Sequence, residues 1–446
     1  MKQRSLAAPL VLIVIGGLFL LNNLRPEFSV WQAIRHWWPF LLIGFGVIQL
    51  AEVLLNANRG QVLPNRGIST GQVALLVLVS FAIYSSTHRN RAFHIRNFQG
   101  SGMEIFGEQY DYPVHSSGSA QGATMLVLDN IRGNITVNGG DNTEYSAEGH
   151  KSIKAYNKSE ADQLNGKTQV HFVREGNQLI VRTDQRSAID GQSLTTDMEI
   201  QVPRAMSVEA RGRSGDLTLN SLTGLVDISS ERGDIRLTDI GGNARVVVSR
   251  SGLVRATGLK GNLDVEGRGS DVQLENITGQ VAINGSYSGT LEFKNLAQPL
   301  HFESERTTLR IAQIAGTFTM DLGDIRANHL VGPVKVKTRS RDIHIEDFSD
   351  AMDIEVEHGD IGLTPGKLPL ARIDVRSHNG NVDLTLPESV DFNLSANTRQ
   401  GEATNDYGAS IRSEVEGRSA SLHSVSARGP AINIATDRGT VAVKKN

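Results

Sequence analysis

The sequence predicts an all-β fold, a parallel β-solenoid (a single-stranded β-helix) with coils of about 18 residues, preceded by an α-helical membrane region of about three spans. One observation is a short pattern that recurs on average every 18 residues between residues 215 and 363. Another is an apolar residue at a constant place in every repeat, and a third is that the long uncharged runs all lie before residue 87. A fixed period in this range is typical of repeat architectures, and apolar residues two apart among Gly, Asn, Asp and Ser are typical of strands.

Each repeat holds two apolar pairs and one residue between them. In the first repeat, Leu217 and Leu219 form a pair, Leu222 follows, and Val226 and Ile228 form the second pair. We expect the intervening residue to fill the corner of its coil in all eight repeats: Leu222, Ile240, Leu259, Ile277, Leu296, Ile314, Leu330 and Phe348. A single coil buries too little apolar surface to offset its ordering cost, so stacking must stabilise the array. An antiparallel sandwich is the rival interpretation, but it does not require a corner residue at a constant offset.

The first 87 residues are predicted to form the membrane region. Residues 6–24 contain no charged residue in nineteen positions, which is about 28 Å of helix and enough to cross a bilayer. Further spans are predicted at 39–55 and 72–86, and the three tryptophans between residues 31 and 38 resemble an interfacial aromatic belt. A cleaved signal peptide is the alternative for the first run. Because that run begins like a signal anchor, we expect the N-terminus inside the cell and the β domain outside the cytoplasm.

The rest of the chain divides by its periodicity. Residues 88–122 are predicted to be a linker, 123–206 an N-terminal cap with the first strands, and 207–446 the solenoid repeats. Within the cap, Ser159 is the expected N-cap of a short helix. The last strands should end at Lys444 and Lys445, whose charges would protect an open sheet edge.

Composition excludes several classes of function. The net charge of −3 gives no reason to expect a nucleic-acid surface, and the chain has no cysteine, so disulfides, thiolate catalysis and cysteine-ligated metals are excluded. Phosphate-cradling loops and the usual hydrolase motifs are also absent from the sequence. We therefore expect no catalytic residue, no cofactor and no metal.

Acidic residues recur after glycine or at the same turn of successive repeats. They are Asp216, Asp234, Asp271, Asp324, Asp342 and Asp360. Stacked along one corner, these carboxylates would form a ladder able to bind cations. Aspartate is also what a tight turn selects, and the calcium-binding β-roll spacing is missing, so turn chemistry is the favoured interpretation.

Three other sets of residues are candidates for chemistry. A carbohydrate-active β-helix enzyme would break its repeat with unusual side chains, and the nearest such cluster is His301, Glu303, Glu305 and Arg306. Histidines near successive turns are possible metal ligands: His344, His358 and His378. Arginines on exposed faces are candidates for contacts with acidic glycans or a protein: Arg245, Arg250, Arg255 and Arg268. For each set, solvated side chains on a solenoid surface are the alternative.

Two stretches resemble known families. The segments Ile15–Asn23 and Trp38–Gly46 resemble the transmembrane region of LiaI/LiaF-type bacterial envelope-stress proteins. From about residue 123 onward, the repeated Gly-Asp-Ile/Leu strands are similar to the "putative adhesin" β-strand-repeat family, whose β domain follows such membrane regions.

These resemblances imply a non-enzymatic, multi-pass protein of the bacterial cell membrane. We expect a scaffold or binding surface in envelope-stress sensing, with an unidentified protein or polysaccharide partner. The alternatives are a surface adhesin that binds glycans or matrix, and a carbohydrate-active β-helix enzyme.

Overall fold

A computed structural model describes residues 108–183, 194–366, 368–426 and 428–446. The chain divides into two compact units, Met1–Ile105 and Phe106–Asn446, and all the described residues belong to the second. They form 31 β-strands and one α-helix. Nowhere among them is a helix both long and apolar enough to cross a bilayer. The three predicted spans lie outside the described residues.

The first array of coils consists of two parallel ladders of strands. The long-strand ladder contains β8 (Ser207–Ser214), β10 (Val226–Arg232), β12 (Ala244–Ser251), β14 (Leu263–Gly269), β16 (Val281–Tyr287) and β18 (Leu300–Glu303). The short-strand ladder contains β9 (Leu217–Asn220), β11 (Ile235–Thr238), β13 (Val254–Thr257), β15 (Val272–Ile277) and β17 (Leu291–Leu296). Each coil therefore places one strand in each ladder, with a corner between them.

The corner is built by a left-handed residue followed by a buried apolar one. Asn276, for example, has φ 57° and directly precedes Ile277, which is fully buried. Asn, Asp and Gly tolerate this backbone conformation better than other residues. Seven of the eight corner residues follow such a residue: Ser221, Asp239, Gly258, Asn276, Asn295, His329 and Asp347. The left-handed residue turns the chain so that the apolar side chain points inward between the two ladders.

The N-terminal block begins earlier than predicted. Its elements are β1 (Glu108–Ser119), β2 (Met125–Arg132), β3 (Ile135–Gly140), β4 (Glu144–Ala155), α1 (Lys158–Lys167), β5 (His171–Glu175), β6 (Gln178–Arg182) and β7 (Leu194–Pro203). The predicted linker 88–122 is thus wrong over β1, which pairs antiparallel with β4 along its whole length. These backbone hydrogen bonds do not depend on side-chain hydrophobicity, and the alternation of Tyr110, Tyr112 and Val114 is short and gives way to small polar residues.

The cap is assembled out of chain order. Strand β2 lies between β6 and β8, and β3 lies between β7 and β9, so the first coil is covered by strands that come later in the chain. Helix α1 packs Ala161 and Leu164 against Ile153 of β4. Its N-cap is Asn157, whose side chain accepts the Glu160 N–H at 2.9 Å, rather than the predicted Ser159.

The chain reverses direction in the middle of the solenoid, which the sequence did not predict. Strand β19 (Thr307–Met320) runs antiparallel to β17 and β18, and β20 (Asp324–Ser340) runs antiparallel to β19. Ile314 lies opposite Leu296 at the corner, and Phe318 stacks on Phe293 with ring centroids 5.7 Å apart. Each repeat has one apolar pair on either side of its corner residue. Because this order is nearly symmetric, the same sequence pattern fits a coil that runs in either direction.

The second array resumes the parallel arrangement. Strand β20 is long enough to pair with both strands of the next coil. The remaining strands are β21 (Asp342–Phe348), β22 (Met352–His358), β23 (Ile361–Pro365), β24 (Ile373–Asn379), β25 (Val382–Leu386), β26 (Asn393–Gln400), β27 (Ala403–Asp406), β28 (Ile411–Glu416), β29 (Ser419–Ser424), β30 (Ala431–Arg438) and β31 (Val441–Lys445). One continuous hydrophobic cluster runs through both arrays.

The C-terminal strands lie inside the solenoid rather than at its end. Strand β30 pairs with β24 and β26, and β31 pairs with β25 and β27. The expectation that the two final lysines protect an open edge is therefore wrong. Lys444 instead pairs with Asp383 of the neighbouring strand at 3.2 Å, and Lys445 pairs with Glu388 at 2.5 Å.

Candidate functional site: a groove across five parallel strands

The recurrent acidic residues connect successive coils. The Asp216 carboxylate accepts the backbone N–H of Asp234 at 3.0 Å, and Asp342 accepts that of Asp360 at 2.8 Å. Asp234, Asp271 and Asp360 make the same kind of bond. Asp324 differs because its carboxylate pairs with Arg326 at 2.6 Å. Five of the six residues therefore use one carboxylate oxygen to accept a backbone N–H of the next coil.

The corner positions are all inside the solenoid. None of the eight has more than 2 % of its surface exposed: Leu222, Ile240, Leu259, Ile277, Leu296, Ile314, Leu330 and Phe348. These residues have a packing role.

The histidine candidates are only partly brought together. The rings of His358 and His378 lie 6.5 Å apart, and His378 Nδ1 lies 2.7 Å from an Asp437 carboxylate oxygen. His344 is on β21, in the other ladder. Among the described residues, no group of three or more side chains is arranged to hold a metal ion.

The cluster around His301 is exposed. His301 Nε2 lies 3.3 Å from a Glu303 carboxylate oxygen, and the Glu303 side chain is 62 % exposed. Glu305 and Arg306 follow in the exposed turn between β18 and β19. His301 itself belongs to a different feature, a groove on the outer surface of the long-strand ladder.

This groove crosses β10, β12, β14, β16 and β18 and has a volume of about 580 Å³. Two rows of outward-facing residues line the groove. In the first row, each residue directly precedes one of the five strands, and in the second row, each residue lies within one of them. The first row is Leu225, Asn243, Asn262, Gln280 and Pro299, and the second is Asp227, Arg245, Asp264, Ala282 and His301. Members of the second row lie directly opposite one another from strand to strand. The groove therefore runs along the solenoid axis, across the strands.

The first row forms a line of amide side chains. Asn243 Oδ1 accepts the backbone N–H of Asn262, and Asn262 Oδ1 accepts that of Gln280, both at 2.9 Å. Each asparagine is held by its oxygen, and its NH₂ group supplies two further donors. Leu225 at one end is 59 % exposed, and Pro299 lies at the other.

Asp264 is the unusual residue of the second row. Its Oδ1 is buried and accepts no hydrogen bond in the described part of the chain. Burial, and then the neighbouring Glu266 carboxylate, raise the pKa of Asp264, while Arg245 acts in the opposite direction. Arg245 is itself engaged by Glu266 at 3.1 Å. A buried acceptor without a donor is costly, so a ligand donor that reaches the Asp264 carboxylate from the groove would be favoured.

The four arginines proposed from the sequence do not form one surface. Arg245 lies in the groove, whereas Arg255 is on the short-strand ladder and bonds the Gln273 side chain at 2.8 Å. Arg250 and Arg268 are exposed and do not line the groove. The other groove residues were missed because a row across strands is not contiguous in sequence. In the sequence, the groove residues can be recognised as the two residues that flank the first buried residue of each long strand.

Comparison with known proteins identifies two matching family models. Residues 124–329 and 288–444 match the model described as Toastrack DUF4097, and residues 6–50 match the model described as the LiaI-LiaF-like transmembrane region. Both resemblances noted in the sequence are confirmed, and the second match indicates membrane association. No match is found among the curated proteins.

Several solved structures are also similar to this chain. A "putative cell adhesion protein" from Clostridium sporogenes is 11 % identical, with 76 % of this chain and 100 % of that chain covered and a TM-score of 0.17. A "putative adhesin" from Parabacteroides distasonis is 9 % identical, with 76 % and 97 % covered and a TM-score of 0.23. A "putative lipid binding protein" from the same organism is 8 % identical, with 75 % and 96 % covered and a TM-score of 0.21.

Proposed function

This chain belongs to the Toastrack DUF4097 family, and we propose that it is a membrane-anchored, non-enzymatic β-solenoid of the bacterial cell envelope that serves as a binding surface in envelope-stress sensing. The observation that carries this proposal is the groove over five parallel strands. It occurs on a chain whose residues 6–50 match a membrane region of the LiaI-LiaF type. The ligand would be a protein segment or a polysaccharide held along the solenoid axis.

The setting of the acidic candidates supports a non-enzymatic role. General acid and base catalysis depends on carboxyl groups whose environment shifts their pKa towards the working pH. Glu303 is largely solvated beside His301, and Glu305 lies in an exposed turn. Asp264 is buried enough to be shifted, but its nearest charged neighbours are Glu266 and Arg245, which already pair with each other.

The membrane arrangement is part of the proposal. We propose three spans, at 6–24, 39–55 and 72–86, with the N-terminus inside and the β domain outside the cytoplasm. The chain has no cysteine, so single cysteines can be introduced at Val415, which is 75 % exposed, and at Gln61. Labelling of intact cells by a membrane-impermeant maleimide is expected at position 415 and not at position 61. The reverse pattern would contradict this topology.

The function itself is tested by filling the groove in cells. Ala282 is the smallest residue of the second row, so Ala282→Trp should occupy the space between Asp264 and His301. Ser286→Trp is a matched control, because Ser286 is exposed on the same strand and does not line the groove. Both variants should reach the membrane at the level of the natural chain.

The readout is the induction of envelope-stress genes by a wall-active antibiotic. Ala282→Trp should reduce the induction several-fold, and Ser286→Trp should leave it unchanged. Full induction with Ala282→Trp would contradict the proposal. If Ala282→Trp instead abolished attachment of cells to a glycan or matrix surface and left induction intact, the adhesin function would replace it.

A further inference from the structure

We propose that the groove binds an extended oligosaccharide that bears free amino groups as well as hydroxyl groups, an inference that rests on the proposed function of the groove as a binding surface. Four properties of the groove point to this ligand. They are its direction across the strands, its unpaired acceptor, its charge and its small apolar surfaces.

The direction of the groove fits a linear polymer. Neighbouring strands lie about 4.8 Å apart, so five strands present equivalent positions over roughly 19 Å. A peptide strand would add to a free ladder edge, where backbone groups are unpaired. The groove instead lies on the ladder face, where the backbone groups are used between strands. A polymer that binds there must interact with side chains. An extended glycan suits this face, because its repeat is close to the spacing between strands.

The hydrogen-bonding groups of the groove call for a ligand that donates as well as accepts. Asp264 lines the groove, and its Oδ1 has no donor in the described chain, so a ligand hydrogen on oxygen or nitrogen that reaches this carboxylate would be favoured. The amides of Asn243 and Asn262 have their oxygens occupied and present NH₂ groups to acceptors. Sugar hydroxyl groups act in both ways, which is what a face with mixed donors and acceptors requires.

The charge of the groove selects an amine over an acid. Asp227 and Asp264 lie in the second row, and Glu266 is next to it. The cation in their midst, Arg245, is already paired with Glu266. A ligand carboxylate would meet acidic neighbours, whereas an ammonium group would neutralise Asp264 and donate to it in one contact. The remaining basic group, His301, lies at the end of the row and pairs with Glu303.

The apolar surfaces are small and placed at intervals. Leu225 and Pro299 lie at the two ends of the first row, and Ala282 leaves room in the second row between Asp264 and His301. Such surfaces suit the C–H faces of sugar rings, which need contact area but no hydrogen bond. The depression at Ala282 would receive the ring whose amino group meets Asp264.

The test measures binding of soluble oligosaccharides to the full-length chain in detergent micelles. The probes are a tetramer of glucosamine, a tetramer of N-acetylglucosamine and a tetramer of galacturonic acid, which differ in charge. We expect the glucosamine tetramer to bind at least tenfold more tightly than the N-acetylated one, and the acidic tetramer to bind most weakly. Equal affinity for the three, or preference for the acidic tetramer, would overturn the proposal.

Variants separate groove binding from general attraction to an acidic protein. Ala282→Trp should weaken glucosamine-tetramer binding at least tenfold, and Ser286→Trp should not change it. The conservative Asp264→Asn change should remove most of the preference for the free amine. Binding that Ala282→Trp leaves unaltered would place the ligand elsewhere and sink the inference. If Ala282→Trp abolished stress induction in cells while no glucosamine binding occurred, the ligand class would be wrong and the proposed function would stand.

Discussion

A Cβ atom on Gly233 would lie 2.0 Å from the carbonyl oxygen of Gly215, one coil earlier. The same relation joins Gly252 to Gly233 and Gly215 to Gly133, each at 2.1 Å. In these three turns glycine therefore stacks on glycine, and a side chain there would clash with the backbone of the adjacent coil. Gly233 also has φ 125°, a conformation that L-residues rarely adopt.

Gly233→Ala should therefore be among the most damaging single changes in the β domain. We expect the free energy of unfolding to fall by more than about 3 kcal/mol, because the methyl group meets backbone rather than a flexible side chain. This loss can be measured by urea unfolding of the full-length chain in detergent, with the far-ultraviolet circular dichroism of the strands as the signal.

Gly408→Ala is the matched control for that experiment. Gly408 has φ 123°, but a Cβ on it would have no neighbour within 4 Å. This change should cost only the backbone strain, about 1–2 kcal/mol. Equal losses for the two variants would show that φ alone, and not the close approach of coils, explains the glycine at position 233.

The role of the acidic ladder can be tested at Asp360, whose Oδ1 accepts the Asn381 N–H at 2.7 Å. Asp360→Asn should leave stability nearly unchanged, because an amide oxygen accepts the same bond, as Asn134 and Asn381 do in their own coils. Asp360→Ala should lower the free energy of unfolding by about 1–2 kcal/mol, because the backbone donor loses its partner. Thermal and urea unfolding measure both changes. A loss with Asp360→Asn as large as with Asp360→Ala would mean that charge matters instead, as cation binding requires.

Removal of the Tyr287 hydroxyl group is expected to stabilise the protein. The hydroxyl is buried without a hydrogen-bond partner in the described chain, and burial raises the pKa of Tyr287. Tyr287→Phe should raise the free energy of unfolding by about 1 kcal/mol, because an unpaired polar group leaves the core. Tyr407→Phe is the matched control: the Tyr407 hydroxyl donates to the Pro387 carbonyl at 3.0 Å, so that change should destabilise by a similar amount. The two variants should move the urea midpoint in opposite directions.

Lys151 makes stability depend on pH. It is 3 % exposed, its Nζ donates to the carbonyl oxygens of Thr168 and Asn165 at 2.6 and 3.1 Å, and burial lowers the pKa of Lys151 from 10.5 to about 8. Between these values the unfolded chain binds the proton more tightly, so the Lys151 contribution to stability should rise from pH 8 to pH 10.5, by at most about 3 kcal/mol.

The measurement compares urea unfolding of the natural chain and of Lys151→Met across that pH range. The difference in stability between them should increase with pH. Lys154→Met, an exposed position on the same strand, should show no such trend. A difference that stays constant with pH would mean that the Lys151 ammonium group is not desolvated.

Several features of this protein follow from local chemistry and could be predicted. The corner residues from Leu222 to Phe348 recur because each coil has one inward position between its two ladders, and burial makes that position apolar. The acids from Asp216 to Asp360 mark the turns because a short carboxylate can reach the backbone N–H of the next coil. The left-handed residue before seven of the eight corners could not be predicted, because Ser221, Asn276 and His329 share a backbone conformation rather than a chemical class.

The groove could not be predicted because it depends on which residues lie opposite one another on neighbouring strands. Asp264 is one of many polar residues on outward positions, and it becomes unusual only when Arg245 and Ala282 lie directly opposite it on the flanking strands. These two partners are about eighteen residues away from Asp264 in either direction.

What the sequence by itself determined is the coil: its period, its inward residues and its turns, all of which depend on contacts between residues close in the chain. The tertiary structure alone decided the order in which coils stack. Leu309 and Ile311 fit the pattern of a forward coil, yet β19 runs backward, and β30 and β31 enter between strands that precede them. The physical reason is that an inward-facing apolar pair buries as well beside a parallel neighbour as beside an antiparallel one. The direction and order of the coils are therefore set by turns and end strands, whose hydrogen bonds leave little trace in the apolar pattern.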